Sequence, residues 1–343
     1  MTINVGLITS EALILGCDST ASTGDFYLDP FADGLQRGPD GKILLDADGR
    51  ATIKFDFGEL QHIVTDAWGG VTKMFPLCSK YCTVAGVTSG SASLNGRIIS
   101  SLAADYHRKP KVAGKTKKQP RTVKDVAEGF LEFMRAEYDE HYKDSPMPES
   151  AREGPEFLVG GFGQNDKFPC IFRVRVKHGT VKEEFAAGNG GLVWNAQSDA
   201  VERVIRGYDT RLRTQIEAAA AEAIKAYEDK MNQAALKIVQ DILTALNQKM
   251  PEGVNTTLPN GISVTLPWQN FKLGVPYSIL PLQEAVNFVS YLILIQAGKS
   301  RFARGVATVG GRTHIGVITK GKGYRQLNEP DLTHHYIGFA DDH

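Results

Sequence analysis

The chain opens with the stretch MTINVGLITSEALILGCDST at residues 1–20, and this stretch decides the predicted fold. Its apolar residues predict one strand over 2–9 and a second strand over 12–18. The polar residues Thr9, Ser10 and Glu11 lie between the two strands and are typical of a turn. The segment therefore predicts a β-hairpin that ends at Asp18.

Thr2 directly follows the initiator methionine, and its side chain is small enough for Met1 to be removed. A terminal Thr carries a hydroxyl nucleophile and a free α-amine that can take the hydroxyl proton. This pairing activates a weak nucleophile without a histidine. Taken alone, however, Thr2 is more often the ordinary start of an edge strand, so the rest of the chain has to decide between the two interpretations.

Charge and hydropathy exclude several classes of protein. The 343 residues include 39 Lys and Arg against 39 Asp and Glu, which gives a formal net charge of +0. A general nucleic-acid binder usually has a basic balance. The first fifteen residues lack a basic leader, and the apolar run over 288–297 is too short to span a bilayer. We expect a cytoplasmic protein with no nucleic-acid or membrane partner.

The chain has four cysteines, which is too few for a disulfide framework at this length; they are Cys17, Cys78, Cys82 and Cys170. Three residues separate Cys78 from Cys82, but no His lies nearby in the sequence to complete a zinc site. We predict reduced, buried thiols, no metal and no cofactor.

Hydrophobic periodicity places the strands in blocks rather than in strand–helix alternation. Predicted strands occupy 62–65, 71–77, 81–87, 156–163, 168–177, 180–188, 305–310 and 313–319, and predicted helices occupy 89–104, 122–142, 197–249 and 281–303. Consecutive strands favour antiparallel sheets with the helices segregated outside them. The sequence therefore predicts the α+β class rather than a Rossmann-type sheet.

Two regions are predicted to be insertions in a single domain that spans residues 1–343. Residues 24–60 contain two strong turn signals, GPDG and DADG, which indicate surface hairpins. The second insertion covers about 215–280. The helical pattern that leads into it would give a helix on the order of 75 Å long, so we expect a projecting arm or a break near Gly207 or Met231.

Five short segments follow one another along the chain: Asp18-Ser19 sixteen residues after Thr2, Val71-Thr72-Lys73, Ala85-Gly86-Val87, Gly188-Asn189-Gly190 and Gly310-Gly311. On these segments the chain resembles the proteasome β-subunits and the bacterial HslV-like peptidases, as a divergent member with insertions. These families are N-terminal nucleophile hydrolases. The resemblance implies a four-layer αββα sandwich of two antiparallel sheets flanked by helices.

The resemblance also implies a threonine-type endopeptidase that cleaves polypeptides through an acyl-enzyme. Thr2 would be the nucleophile, supported by Lys73 and Asp18. The N–H of Gly86 would bind the oxyanion, and Asn189 would hydrogen-bond toward the α-amine. Family members form stacked rings, so a homo-oligomeric ring is implied, while a regulatory ATPase partner stays undetermined.

Three positions depart from the family pattern and keep other functions open. Asn189 replaces a Ser, and Val306 and Val309 replace an Asp and a Ser. Thr308 could substitute for these only if the register shifts. The departures support a catalytically silent structural subunit as one alternative, and a hydrolase of small amides is another.

Overall fold

The hairpin predicted at the start of the chain is present in the computed structural model, which describes residues 2–27, 35–39, 41–52, 61–114, 119–186, 188–249 and 265–327. Its strands are β1 (Ile3–Ile8) and β2 (Ala12–Asp18), and every residue of both strands is buried. A strand that is covered on both faces carries a continuous apolar run instead of an alternating one. The sequences INVGLI and ALILGCD therefore suit the centre of a sheet.

The first sheet has five strands that pair antiparallel in the order β12, β1, β2, β13, β14. The three added strands are β12 (Gly191–Ala196), β13 (Thr313–Thr319) and β14 (Gly323–Gln326). The hairpin thus lies in the middle of its sheet.

A second antiparallel sheet has the order β11, β10, β9, β6, β5. Its strands are β5 (Met74–Cys78), β6 (Thr83–Ser89), β9 (Glu156–Phe162), β10 (Cys170–Arg175) and β11 (Thr180–Glu183). Two further pairs lie outside both sheets: β3 (Ala21–Tyr27) with β4 (Gln61–Trp68), and β7 (Ser93–Leu94) with β8 (Arg97–Ile98).

Helices cover the outer face of each sheet. Helix α5 (Leu282–Phe302) packs on β1, β2 and β13, while α1 (Ile99–Arg108) and α2 (Val123–His141) pack on the second sheet. The close approach of α5 depends on Gly16, where an added Cβ would lie 2.5 Å from Val289 Cγ1. The predicted α+β class with antiparallel sheets and outer helices is confirmed.

The inner faces of the two sheets meet in an apolar core. It is formed by Ile8, Leu13, Leu15, Cys17, Met74, Ala85, Val87, Leu158, Phe162, Ile171, Val193 and Ile318. The layers therefore run helix, sheet, sheet, helix. Because side chains from both sheets interdigitate in this core, the sheets hold a fixed position relative to each other. Any site that takes residues from both sheets depends on this fixed position.

The residues from Asp199 to Gly274 form a unit of their own, separate from the unit that contains both sheets. In this second unit α3 (Asp199–Arg206) is followed by α4 (Thr210–Ala245), and the break between them is at Gly207, which has a φ of 79°. The helix continues through Met231. Whether these units are one domain with two insertions stays a prediction, because parts of 24–60 and 215–280 lie outside the described residues.

Two element predictions are wrong, one at its boundary and one entirely. The helix expected from residue 89 begins only at Ile99, because β7 and β8 form a short hairpin first. The strand expected over 305–310 does not form; the N–H groups of Thr308 and Val309 donate instead to Ser300 Oγ, at 3.0 and 3.2 Å. Among the described helices, none combines the length and the apolar character needed to cross a membrane.

Candidate active site

Thr2 lies directly before β1, and the residue is only 3% exposed. Its hydroxyl donates a hydrogen bond to Asp18 Oδ1 and accepts one from Lys73 Nζ at 2.5 Å. These three residues come from the start of β1, the end of β2 and the residue before β5. The fold thus brings together a hydroxyl, a carboxylate and an ammonium group that are distant in the sequence.

Asp18 is held by donors on both of its oxygens. Besides the Thr2 hydroxyl, Oδ1 accepts from the N–H of Ile3 at 3.2 Å and from Lys73 Nζ at 2.7 Å. Oδ2 accepts from the N–H groups of Thr20 and Gly310, both at 3.1 Å. A buried carboxylate is costly unless its oxygens are paired, and here the surrounding groups offset that cost and fix the orientation of the side chain.

Lys73 uses all three of its N–H donors. They bond to the Thr2 hydroxyl, to Asp18 and to the carbonyl of Thr20. Since an ammonium group has three donors and no acceptor, this buried cation is fully satisfied. Its backbone is also anchored, because the carbonyl of Lys73 accepts from the N–H of Thr88 at 2.9 Å.

Backbone contacts around Ser19 tie the three segments together. Ser19 accepts a hydrogen bond at its carbonyl from Val71 N–H at 2.9 Å and donates from its own N–H to Gly310 at 3.1 Å. The next residue, Gly311, has a φ of 72°, and a Cβ there would collide with Ser19 Oγ. A glycine is therefore required at this position, and it lets the 310–311 turn close over the end of β2.

The arrangement suits activation of a hydroxyl nucleophile. A buried ammonium beside an oxygen stabilises negative charge on that oxygen more strongly than it would in water, because the low-polarity surroundings screen the attraction less. The carboxylate orients both partners. Thr2 could thus react as a nucleophile once a base accepts its proton.

Gln197 lies near Thr2 and was not predicted for the site, whereas Thr308 was considered there only with a shifted register. The N–H of Gln197 donates to the carbonyl of Thr2 at 2.9 Å, and Gln197 Oε1 accepts from the hydroxyl of Thr308 at 2.7 Å. Ala196, just before Gln197, has a φ of 65°, which marks a tight turn at the end of β12. The register expected near the end of the chain placed Val306 and Val309 beside Thr2. In the structure Val306 is exposed, and Thr308 is the residue with a buried hydroxyl.

Gly86 lies in the second sheet, and its role as the oxyanion donor stays a prediction. It occupies the middle of β6, opposite Phe75 on one side and Val159 on the other. Backbone N–H groups of a central strand are used by the sheet ladder. The position that a side chain would take at Gly86 faces Leu77, in the core beneath the helices.

Asn189 is placed away from Thr2. It is exposed in the turn before β12, whose first residue Gly191 pairs with Ile8. Thr2 lies at the other end of β1, where Ile3 pairs with Ala196. Five residues of strand separate the two ends, about 17 Å at the usual rise, which is too far for a hydrogen bond to the α-amine of Thr2.

A row of polar side chains lies beside the Thr2 cluster, on the inner face of the same sheet. Asn195 pairs with Asn4, Asn4 with Cys17 and Cys17 with His314, and directly paired residues share one face. All four are buried. Asn195 Nδ2 donates to Ser89 Oγ at 3.0 Å from the opposite sheet.

Several atoms of this row have no hydrogen-bond partner within the described part of the chain: both amide atoms of Asn4, Oδ1 of Asn195 and both ring nitrogens of His314. Burial is the main cause that lowers the pKa of His314; Asp18 opposes the shift, and Lys73 and Arg312 add to it. The row therefore contains a buried imidazole, whose protonation burial opposes, close to the charged cluster. No signal in the sequence pointed to His314.

No group of three or more His, Cys, Asp or Glu side chains that could hold a metal ion occurs among the described residues.

Comparison with known proteins finds distant similarities to solved structures only. No protein-family model matches the chain, and no curated protein matches it. It is similar to the solved structure of Anbu (ancestral beta-subunit) from Yersinia bercovieri, with 10% identity and a TM-score of 0.44. It is also similar to the helical assembly of the Anbu complex from Pseudomonas aeruginosa, with 12% identity and a TM-score of 0.43. Each likeness covers 96% of this chain and 88% of the other.

These findings correct the family assignment. The prediction that the chain is a divergent proteasome β-subunit or HslV-like peptidase is wrong, because no family model matches and the structural neighbours are Anbu proteins at low TM-scores. Short segments such as Gly-Gly or Asp-Ser also arise from ordinary turn chemistry. Their order along one chain could therefore not decide between families, and what the site does has to be argued from its geometry.

Proposed function

We propose that the chain is a threonine-type endopeptidase in which Thr2 becomes the N-terminal nucleophile once Met1 is removed. The observation that supports this function is the buried contact of the Thr2 hydroxyl with both the Lys73 ammonium and the Asp18 carboxylate. Met1 itself lies outside the described residues, so its removal is part of the proposal.

Removal of Met1 frees the α-amine of Thr2, which takes the hydroxyl proton as Oγ1 attacks the carbonyl carbon of the substrate. Lys73 stabilises negative charge on the attacking oxygen. The tetrahedral intermediate then collapses, and the leaving amine departs with the proton held by the α-amine. The resulting ester is cleaved by a water, which releases the acid and restores Thr2.

A direct test uses protein expressed without an N-terminal tag and compares fluorogenic peptides with small acyl amides. We expect peptide hydrolysis that falls by about 10³-fold or more in Thr2→Ala and persists in Thr2→Ser, which keeps the hydroxyl. Thr23→Ala removes an exposed hydroxyl from β3 and is the matched control, with unchanged turnover. If the protein hydrolyses the small amides and no peptide, the peptidase proposal is wrong and the chain is a hydrolase of small amides.

A catalytically silent structural subunit is the second candidate. Val309 is buried next to Thr308. It favours this function because its apolar side chain cannot hydrogen-bond to an amine. Folded wild-type protein that turns over neither substrate class would support the structural role and reject the enzyme.

The homo-oligomeric ring stays a prediction. One similar solved structure is described as a helical assembly, and self-association of the present chain can be measured by size-exclusion chromatography with light scattering. A monomeric mass at micromolar concentration would contradict the ring.

A further inference from the structure

Helix α4 is long, and no residue of it is buried by the described part of the chain. It spans Thr210–Ala245, which is 36 residues, and at the usual rise it is about 54 Å long. Helices in proteins owe most of their stability to an apolar face that packs against other elements. A helix of this length with every residue at least partly exposed therefore needs a partner for its apolar face.

Apolar residues of α4 recur along one side of the helix, within about 120° of one another at about 100° per residue. We call this set the α4 stripe; it consists of Ile216, Ala220, Ile224, Tyr227, Met231, Ala235, Ile238, Ile242 and Leu246, the last of which caps the helix. Six of its large residues are 39% to 62% exposed. Leu236, Val239 and Leu243, on the neighbouring side, are half-buried. A continuous exposed apolar surface of this kind marks an interaction site.

The spacing of the α4 stripe is symmetric about Met231. Successive members are separated by 4, 4, 3, 4, 4, 3, 4 and 4 residues, which reads the same from either end. An antiparallel copy centred on Met231 therefore sets members of the stripe opposite one another: Ile216 and Leu246, Ala220 and Ile242, Ile224 and Ile238, Tyr227 and Ala235. At two of these levels a small residue faces a large one. A surface that matches itself after a two-fold rotation is what an isologous dimer requires.

Charge favours the antiparallel arrangement over the parallel one. Residues 217–229 contain four acidic residues and one Lys, a net charge of −3, whereas residues 233–245 contain one Lys and one Asp, a net charge of 0. A parallel pair would place the acidic segment beside its own copy, and like charges that meet across an interface are costly. An antiparallel pair places the acidic segment beside the neutral one.

The α4 stripe is large enough for a stable contact between two copies. A strip about 10 Å wide along the whole helix covers about 540 Å². Two copies would together bury about 1,100 Å², which exceeds the roughly 1,000 Å² expected of a specific interface. A second copy of the chain is thus the occupant that fits the stripe in spacing, charge and area.

We propose that two copies of this chain associate through the α4 stripe, as an antiparallel pair with Met231 at the two-fold axis. An isologous contact is closed, so it joins two copies and does not propagate. The contact is independent of the reaction proposed at Thr2, and catalytic activity does not enter its test.

Light scattering after size-exclusion chromatography measures the mass of the full chain at micromolar concentration. Ile238→Asp places a charge in the stripe and should halve the mass of the wild type. Gln240→Asp adds the same charge at an exposed position on the opposite side of the helix, so it is the matched control and should leave the mass unchanged. Circular dichroism confirms that both variants are folded. Wild-type protein with the mass of one chain, or a mass that Ile238→Asp does not lower, would overturn the proposal.

Introduced cysteines test the orientation of the pair, because a disulfide forms only when two Cα atoms lie within about 7 Å. Met231→Cys should cross-link to its own copy under mild oxidation. Ala220→Cys and Ile242→Cys should cross-link to each other when the two variants are co-expressed, and neither should link to its own copy. Wild-type protein gives the background from the four native cysteines. Efficient self-linking of Ala220→Cys, which a parallel pair would give, would overturn the proposal.

Discussion

Two neighbouring groups of buried residues differ in whether their polar atoms are paired. In the Thr2 cluster, the hydroxyl, the Asp18 carboxylate and the Lys73 ammonium are fully paired. In the adjacent row, Asn4 and His314 have polar atoms without a partner among the described residues. Burial alone is thus no guide to which polar residues stabilise the fold.

The comparison has a physical meaning. Paired charges in a dry interior hold each other in a fixed geometry. Loss of one partner leaves the other as a buried, uncompensated charge, which strongly destabilises the fold. Unpaired amide or imidazole groups already bear that cost in the folded protein. Substitution should therefore destabilise the Thr2 cluster and stabilise the row, and the following experiments test this contrast.

Lys73→Met should have the largest effect. It leaves the Asp18 carboxylate buried without its cation, so we expect a loss of about 3–5 kcal/mol in the free energy of unfolding, measured by urea denaturation. The double variant Lys73→Met with Asp18→Asn should recover part of that loss, because it removes both charges. A loss below about 1 kcal/mol in the single variant would mean that the pair is solvated and not buried.

Asn4→Leu should have an effect of opposite sign. The two side chains have nearly the same shape, and the substitution removes two unpaired polar atoms from the space between the sheets. We expect a gain of about 1–3 kcal/mol in the same urea experiment. Leu15→Asn, which places an amide in that core, is the reverse control and should destabilise the protein. If Asn4→Leu also destabilises it, the amide has partners that keep it satisfied.

His314→Gln should change how stability depends on pH. The pKa of His314 is lowered by burial in the folded protein, while the unfolded chain has the ordinary value of about 6.5. Below that pH the unfolded state binds a proton that the folded state does not, so the wild type should lose stability as pH falls through 6.5 toward the folded pKa. The facing groups Cys17, Asp18, Lys73 and Arg312 are unchanged in the variant.

Urea denaturation between pH 5 and 8 measures the free energy of unfolding of the wild type and the variant. The two should begin to differ only as the pH falls below about 6.5. His178→Gln removes an exposed imidazole and should reproduce the wild-type curve. Identical curves for His314→Gln and the wild type would show that the imidazole titrates freely.

Asn189→Ala should have the smallest effect of the series. The residue is exposed and about 17 Å of strand away from Thr2, so we expect stability within about 0.5 kcal/mol of the wild type and unchanged peptide turnover. A large fall in turnover would mean that the turn before β12 reaches the site, contrary to the register of β1 and β12.

The sequence could predict the strand pair and three members of the site, because each has a local signature. The hairpin follows from its apolar runs, and Asp18 and Lys73 lie beside strand ends, where side chains can converge. Asn189 was misplaced because a glycine turn motif does not reveal where its strand lies in a sheet. His314 and Gln197 had no local signal, since only the pairing of distant strands places them near Thr2.

The most direct test of the central claim is the intact mass of untagged protein before and after treatment with an epoxyketone, which reacts with both the hydroxyl and the α-amine of a terminal Thr. We predict a chain that lacks Met1 and gains one inhibitor, with the adduct mapped to Thr2 and lost in Thr2→Ala. A full-length chain that retains Met1 and gains no inhibitor would contradict the assignment of Thr2 as the nucleophile.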